Sequence, residues 1–233
     1  MSSAAQVTGP RVPEEAAHAP GASGSRFRLT PREQQRFERA IAAIDAANST
    51  DPNWVWSHGR ERPKELVHSE LASEWIEVLR PYASLELRLA ARAHHIRRWE
   101  IPRTSFPEGQ AGYHAWRRRL QEHHAEHAGI LLASECYPED TILRVQALIR
   151  KRGLGRDPEV QVLEDALCLI FLETQLAELA TRTPRTKLVE ILRSTLEKMS
   201  PRAVDISSSL SLSSRERELL DEAASKQAPE RAR

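Results

Sequence analysis

The stretch Glu159–Leu179, EVQVLEDALCLIFLETQLAEL, is apolar almost all the way round a helix. Such a helix has no face to give to water, so other elements must surround it. Glu164, Asp165 and Glu173 interrupt its apolar surface. The rest of the chain shows little strict alternation and few β-branched runs, so the surrounding elements read as helices and no strand is expected. The expected fold class is all-α, with a single globular helical domain.

The helices can be placed by their punctuation. Residues 1–28 are rich in Ala, Ser, Gly and Pro without apolar periodicity and read as a disordered tail. Thr30-Pro31-Arg32-Glu33 is a capping box with proline at the first helical position. Phe37, Ile41 and Ile44 then recur at helical spacing until Asn48–Pro52 stops the helix. Residues 51–63 read as a loop whose Trp54 and Trp56 close the edge of the core. Lys64–Leu79 is a helix with His68, Ala72, Trp75 and Leu79 on one face. A small apolar helix begins at Leu85, carries His94 and His95, and is ended by Pro102. Further helices are expected over Tyr113–Ala133, from Pro138 to about Arg152, and from Pro184 to Met199. The helical domain therefore spans 29–200. Residues 201–233 read as a low-complexity linker and a short terminal helix capped at Ser213, with a loosely ordered end.

Among 233 residues the formal net charge is +1, so no global basic field points to nucleic acid. An anion site must be a local cluster. Cys136 and Cys168 lie far apart in apolar neighbourhoods and read as two buried thiols in a reducing compartment. No run of about 18 apolar residues appears, and the N-terminus lacks a signal-peptide pattern, so a cytoplasmic protein is expected.

Three apolar helices each carry polar residues that are costly to bury unless paired or bound to a metal: His68, the pair His94 and His95, and the pair Glu164 and Asp165. Imidazoles and carboxylates converging between helices are a usual way to build a metal site. His123, His124 and His127 lie on the long charged helix, and His124 is the one expected to turn inward. Arg97, Arg98, Arg103, Arg117 and Lys151 flank these segments. Guanidinium forks suit phosphate or carboxylate, so these cations are candidate substrate-binding groups.

VHSELASEWIEVL, LRLAARAHHI and LEDALCL together resemble the HD superfamily of metal-dependent phosphohydrolases, which are all-helical. The resemblance implies metal ligands at His68, His94, His95 and Asp165, with His95 standing where that family has an aspartate. A second resemblance spans roughly Phe37 to Ser200. It rests on FERAIAAIDAAN, HHIRRWEIPR, GYHAWRRRL, LEDALCLIFLE and LEKMSPR. These strings are similar to a family described only as a domain of unknown function, number four-two-zero-two. Its members are sometimes labelled glutamyl-tRNA-synthetase-like; no Gly-rich nucleotide loop or basic bias accompanies that label here.

The expectation is therefore a metal-dependent enzyme on an HD-like helical fold, a hydrolase of a small phosphate- or carboxylate-bearing substrate. The divalent metal would be iron, manganese, cobalt or zinc, held by His68, His94, His95, His124 and Asp165. Glu164 is the expected general base, and Arg98 the group that stabilises developing charge. Two alternatives accompany it: a non-catalytic module binding a nucleotide, RNA or an acidic protein, and a di-iron oxygenase on the same fold.

Overall fold

A computed structural model describes residues 29–225. The tail expected over 1–28, and the last residues from 226 onward, lie outside that range. The described chain is all-α apart from one short hairpin. None of its helices is long and apolar enough to cross a membrane.

Helix α1 (Pro31–Asn48) begins with the capping box, the Thr30 hydroxyl accepting from the Glu33 amide and the Glu33 carboxylate accepting from Thr30 N–H. The hairpin follows and corrects the expected loop. Strand β1 (Trp54–Ser57) pairs antiparallel with β2 (Arg60–Pro63), from Trp54 opposite Pro63 to Ser57 opposite Arg60. His58 and Gly59 both take positive φ, 50° and 77°, as a two-residue hairpin turn requires. Each strand is only four residues long, too short for alternation to register. Trp54 and Trp56 share the outer face, 59% and 42% exposed, so they do not close the core.

Asp51 links the hairpin to helix α2 (Lys64–Leu79). One carboxylate oxygen accepts from the Glu65 amide at 2.9 Å, and the other holds Asn53. An orphan donor at the start of α2 is thereby satisfied. His68, Ala72, Trp75 and Leu79 all face the interior. Ser84 caps helix α3 (Leu85–Ala93). This helix stops earlier than the apolar pattern suggests. His94–Arg97 form a turn in which Arg97 adopts φ 54°, ψ 34°, and two short 3-10 turns follow at Arg98–Glu100 and Arg103–Ser105. The long helix α4 (Gly109–Ser134) and α5 (Glu139–Ile149) then pack side by side.

Helix α6 (Pro158–Thr174) is the central element, packed against α2, α3 and α5. It is capped by Asp157. The single helix expected to Leu179 divides at Gln175, which leaves helical geometry, and restarts as α7 (Leu176–Arg182). The Thr174 hydroxyl bonds back to the Ile170 carbonyl just before the break, an arrangement that bends helices. Glu173, one of the interruptions in the apolar surface, accepts from the indole N–H of the wholly buried Trp75 at 3.1 Å. Helices α8 (Arg185–Leu196), α9 (Pro201–Ser207) and α10 (Ser214–Ser225) complete the described chain. Leu219, Leu220 and Ala223 of α10 are buried, and α9 packs on α6.

Candidate functional site

Glu65 sits in the first turn of α2, one turn before His68, and is only 4% exposed. Its spacing from His68 puts both side chains on one helix face. The turn after α3 brings His95 to the same carboxylate. Glu65 Oε2 lies 3.1 Å from His95 Nδ1 and 3.6 Å from His68 Nδ1, while Oε1 is 3.6 Å from Arg98 Nε. One ligand-type atom each from Glu65, His68 and His95 can be chosen so that all lie within 4.8 Å of one another.

The partners fix the tautomers. Arg98 Nη1 approaches His95 Nε2 at 3.3 Å and can only donate, so Nε2 accepts and Nδ1–H points to Glu65. Burial, with His94 and Arg98 beside it, holds His95 well below the ordinary histidine range, so the ring is neutral. Burial by itself would raise the Glu65 carboxyl. Hydrogen bonding from the His95 and His68 rings outweighs it and keeps Glu65 well below the usual carboxylate range. A buried anion therefore faces two imidazoles and a guanidinium.

Behind this group lies a cavity of about 20 Å³, room for roughly one water. Its wall includes His94, His95 and Arg98 from the turn, Arg117 and His124 from α4, and Lys151 just after α5. His94 Nδ1 donates to the Ala91 carbonyl and His124 Nδ1 to the Ile96 carbonyl, each at 2.7 Å. Each ring is thus left with a bare Nε2. Burial lowers His94 to about 4 and His124 to about 3, so both are neutral. His124 Nε2 is buried without a partner. Imidazoles oriented by a hydrogen bond from the opposite nitrogen are the arrangement that metal-ligating histidines adopt.

The cations divide into two sets. Arg98 is partly buried and its guanidinium lies 5.0 Å from the centre of the Trp116 ring, a cation–π distance. Lys151 takes a left-handed backbone, φ 57°, and its ammonium pairs with Glu164. Burial lowers the Lys151 pKa against the opposing pull of Glu164. Arg98, Arg117 and Lys151 therefore meet at the cavity. Arg97 and Arg103 do not line it. Arg97 reaches Glu100 at 3.2 Å, and Arg103 donates to the Phe106 carbonyl at 3.0 Å, clamping the loop before α4.

The two expected acids are engaged elsewhere. Asp165 Oδ1 accepts from Gln161 Nε2 and the Ser200 amide, and Oδ2 accepts from the Ser200 hydroxyl at 2.5 Å. Asp165 thus fastens α6 to the cap of α9, and it belongs to neither His/Glu group found among the described residues. Glu164 is the partner of Lys151 rather than of a histidine. The carboxylate that does join the histidines is Glu65, which sequence reasoning passed over. The signal available was Glu65-x-x-His68, an i,i+3 pair of a kind used by helical carboxylate–histidine metal sites.

One carboxylate and two imidazoles form a donor set that zinc, iron, manganese and cobalt all accept. A buried, ionised Glu65 is a group whose charge a cation would balance, so these residues fit a divalent ion. Glu65, His68 and His95 would hold it, the ion taking the place of the His95 Nδ1 proton that points to Glu65, with His94 and His124 nearby.

No curated protein and no solved structure matches the chain, so the likeness to HD phosphohydrolases rests on the sequence strings alone. The other likeness is established over most of the chain. Residues 38–220 match one family throughout, a span that includes the α2 helix, the His94–Arg98 turn and the Lys151–Glu164 pair; this chain is a member of the family described as a domain of unknown function (DUF4202).

Proposed function

We propose that this protein is a divalent-metal-dependent hydrolase of a small phosphate- or carboxylate-bearing substrate. The observation that carries the reading is the adjacency of the buried Glu65–His68–His95 group to the cationic wall formed by Arg98, Arg117 and Lys151. A bound divalent ion supplies Lewis acidity and brings the pKa of a water toward neutrality. Glu65, His68 and His95 hold the ion. Arg98 and Arg117 offer forked donors to the substrate anion, and Lys151 adds a point charge. Glu164 serves as counter-ion to Lys151 and sets where its ammonium sits. His124, at about 3, is too weak a base to take a proton near neutral pH; its bare Nε2 instead accepts a hydrogen bond and orients a water. A cavity of about 20 Å³ does not admit a substrate, so binding requires Arg98 and Arg117, which both reach solvent, to move outward.

A second reading draws on Arg98. Its guanidinium already lies against both Glu65 and His95, which balances the buried carboxylate without a metal. On that account the cavity belongs to a non-catalytic module that grips a nucleotide or an RNA end. Hydrolysis of generic phosphate monoesters and diesters by full-length protein, with and without chelator, separates the two. Turnover that chelation abolishes, and that Glu65→Gln lacks, supports the hydrolase. Anion binding that is indifferent to chelator and weakens steeply with salt supports the module.

A further inference from the structure

A second cluster shares no residue with the Glu65 group. His123 and His127 stand one turn apart on α4, with ring centres 4.4 Å apart, and Glu100 reaches them from the first 3-10 turn. Glu100 Oε2 is 3.4 Å from His123 Nε2 and 3.8 Å from His127 Nε2. Ligand-type atoms of the three residues lie within 4.8 Å of one another. Side-chain exposure rises from 7% at His123 through 30% at His127 to 36% at Glu100, so the cluster is anchored in the protein yet open to solvent.

We propose that Glu100, His123 and His127 form a second divalent-cation site and that it takes zinc. Three features argue for it. Residues at i and i+4 share a helix face, so α4 presents both rings together without rearrangement. Two imidazoles and one carboxylate are a three-ligand zinc set that leaves a coordination position for water or a ligand. Arg97 holds Glu100 Oε1 at 3.2 Å, which leaves Oε2 for the histidines.

The site has one competing bond. His123 Nε2 donates to the Arg97 carbonyl at 3.1 Å, and ligation through that nitrogen exchanges the hydrogen bond for the ion. Arg97 lies between His95 and Arg98 in the chain, so the exchange occurs beside the turn that shapes the inner group. His127 also borders an open groove of about 360 Å³ with Ala43, Ala47, Ile130 and Leu131 in its wall. The solvent side of the cluster therefore has space for a ligand.

The test is zinc titration of chelator-treated full-length protein by calorimetry, repeated with cobalt to read coordination from the visible spectrum. The proteins compared are wild type, His127→Ala, Glu100→Gln and His68→Ala. The expected result is that His127→Ala and Glu100→Gln each lose one zinc equivalent, and with it one cobalt spectral component, that His68→Ala retains. His127 and Glu100 are part-exposed, so both variants are expected to fold, and circular dichroism checks this. Equal zinc stoichiometry and affinity in wild type, His127→Ala and Glu100→Gln would overturn the proposal. So would zinc binding lost only in His68→Ala, or no zinc binding at all.

Discussion

Glu65 shows how far a single carboxylate's neighbours decide its state. Buried alone it would be protonated; beside His95, His68 and Arg98 it stays ionised. The Lys151–Glu164 ion pair is likewise buried. Removing one member of a buried pair leaves an uncompensated charge and costs about 3–5 kcal/mol, whereas replacing both by apolar groups is close to neutral. Lys151→Met is therefore expected to lower the urea midpoint sharply, and Lys151→Met with Glu164→Leu to recover most of the loss. Equal midpoints for wild type and Lys151→Met would show that the pair is not energetically coupled. The two thiols diverge for a related reason. Burial, with Glu164 nearby, pushes Cys168 up to about 12, while Cys136, expected to be buried, is exposed. A thiol reagent at pH 8 is expected to modify a single cysteine in the native protein and both only after denaturation; rapid native labelling of Cys168 would contradict its burial.

At the scale of elements, the start of α4 depends on a missing side chain. A Cβ on Gly112 would lie 1.9 Å from the Pro107 carbonyl oxygen, which belongs to backbone and cannot swing aside. Gly112→Ala is expected to cost on the order of 1–3 kcal/mol and to lower the thermal midpoint by several degrees. An unchanged midpoint would mean that the loop before α4 shifts freely. Helix α6 depends on its cap. Bonds from Arg144 above all, and from the Glu159 and Val160 amides, hold Asp157 down to about 2, below the roughly 3.9 of an unfolded aspartate. Its contribution to stability is thus complete above the unfolded value and is lost as the pH falls through about 2. The stability gap between wild type and Asp157→Ala is expected to be constant from pH 7 to 5, to narrow as the pH falls from 4 to 2 and to close below 2; a gap at pH 2 as large as at pH 7 would place its origin outside ionisation. The Thr30 cap and the Lys64–Leu79 helix could be read directly, because capping residues and apolar spacing are local properties. The end of α3 could not. Its turn needs Arg97 in a left-handed conformation that neither Gly nor Asn announces, while Ile96 and Trp99 prolong an apolar pattern. The hairpin escaped for want of length.

Across the whole molecule, the chain brings its unusual polar residues to one turn, His94–Glu100, with α6 behind it. The sequence suffices to list His68, His95, Arg98, Arg117, His124 and Lys151 as candidates: His68 and His95 as polar residues on apolar helices, His124 as a histidine of the charged helix expected to turn inward, and the cations as guanidinium or ammonium groups flanking those segments. It does not pair them. Asp165 looks like a ligand until Ser200, 35 residues downstream, takes both its oxygens. Glu65 looks like an ordinary acid in a helix's first turn until the α3 turn delivers His95, 30 residues on. Such pairings are set by tertiary contact and leave no mark in local spacing. The proposed function stands on a divalent ion held by Glu65, His68 and His95. Its most direct test is elemental mass spectrometry on tag-free full-length protein in a His127→Ala background, which removes the outer cluster's contribution, beside Glu65→Gln and His95→Ala in that background. Near-stoichiometric iron, manganese, cobalt or zinc in the parent, falling to background in both variants, is the predicted result. A parent without metal even after supplementation, or metal unchanged by both substitutions, would contradict the claim and leave Arg98 as the counter-ion of Glu65.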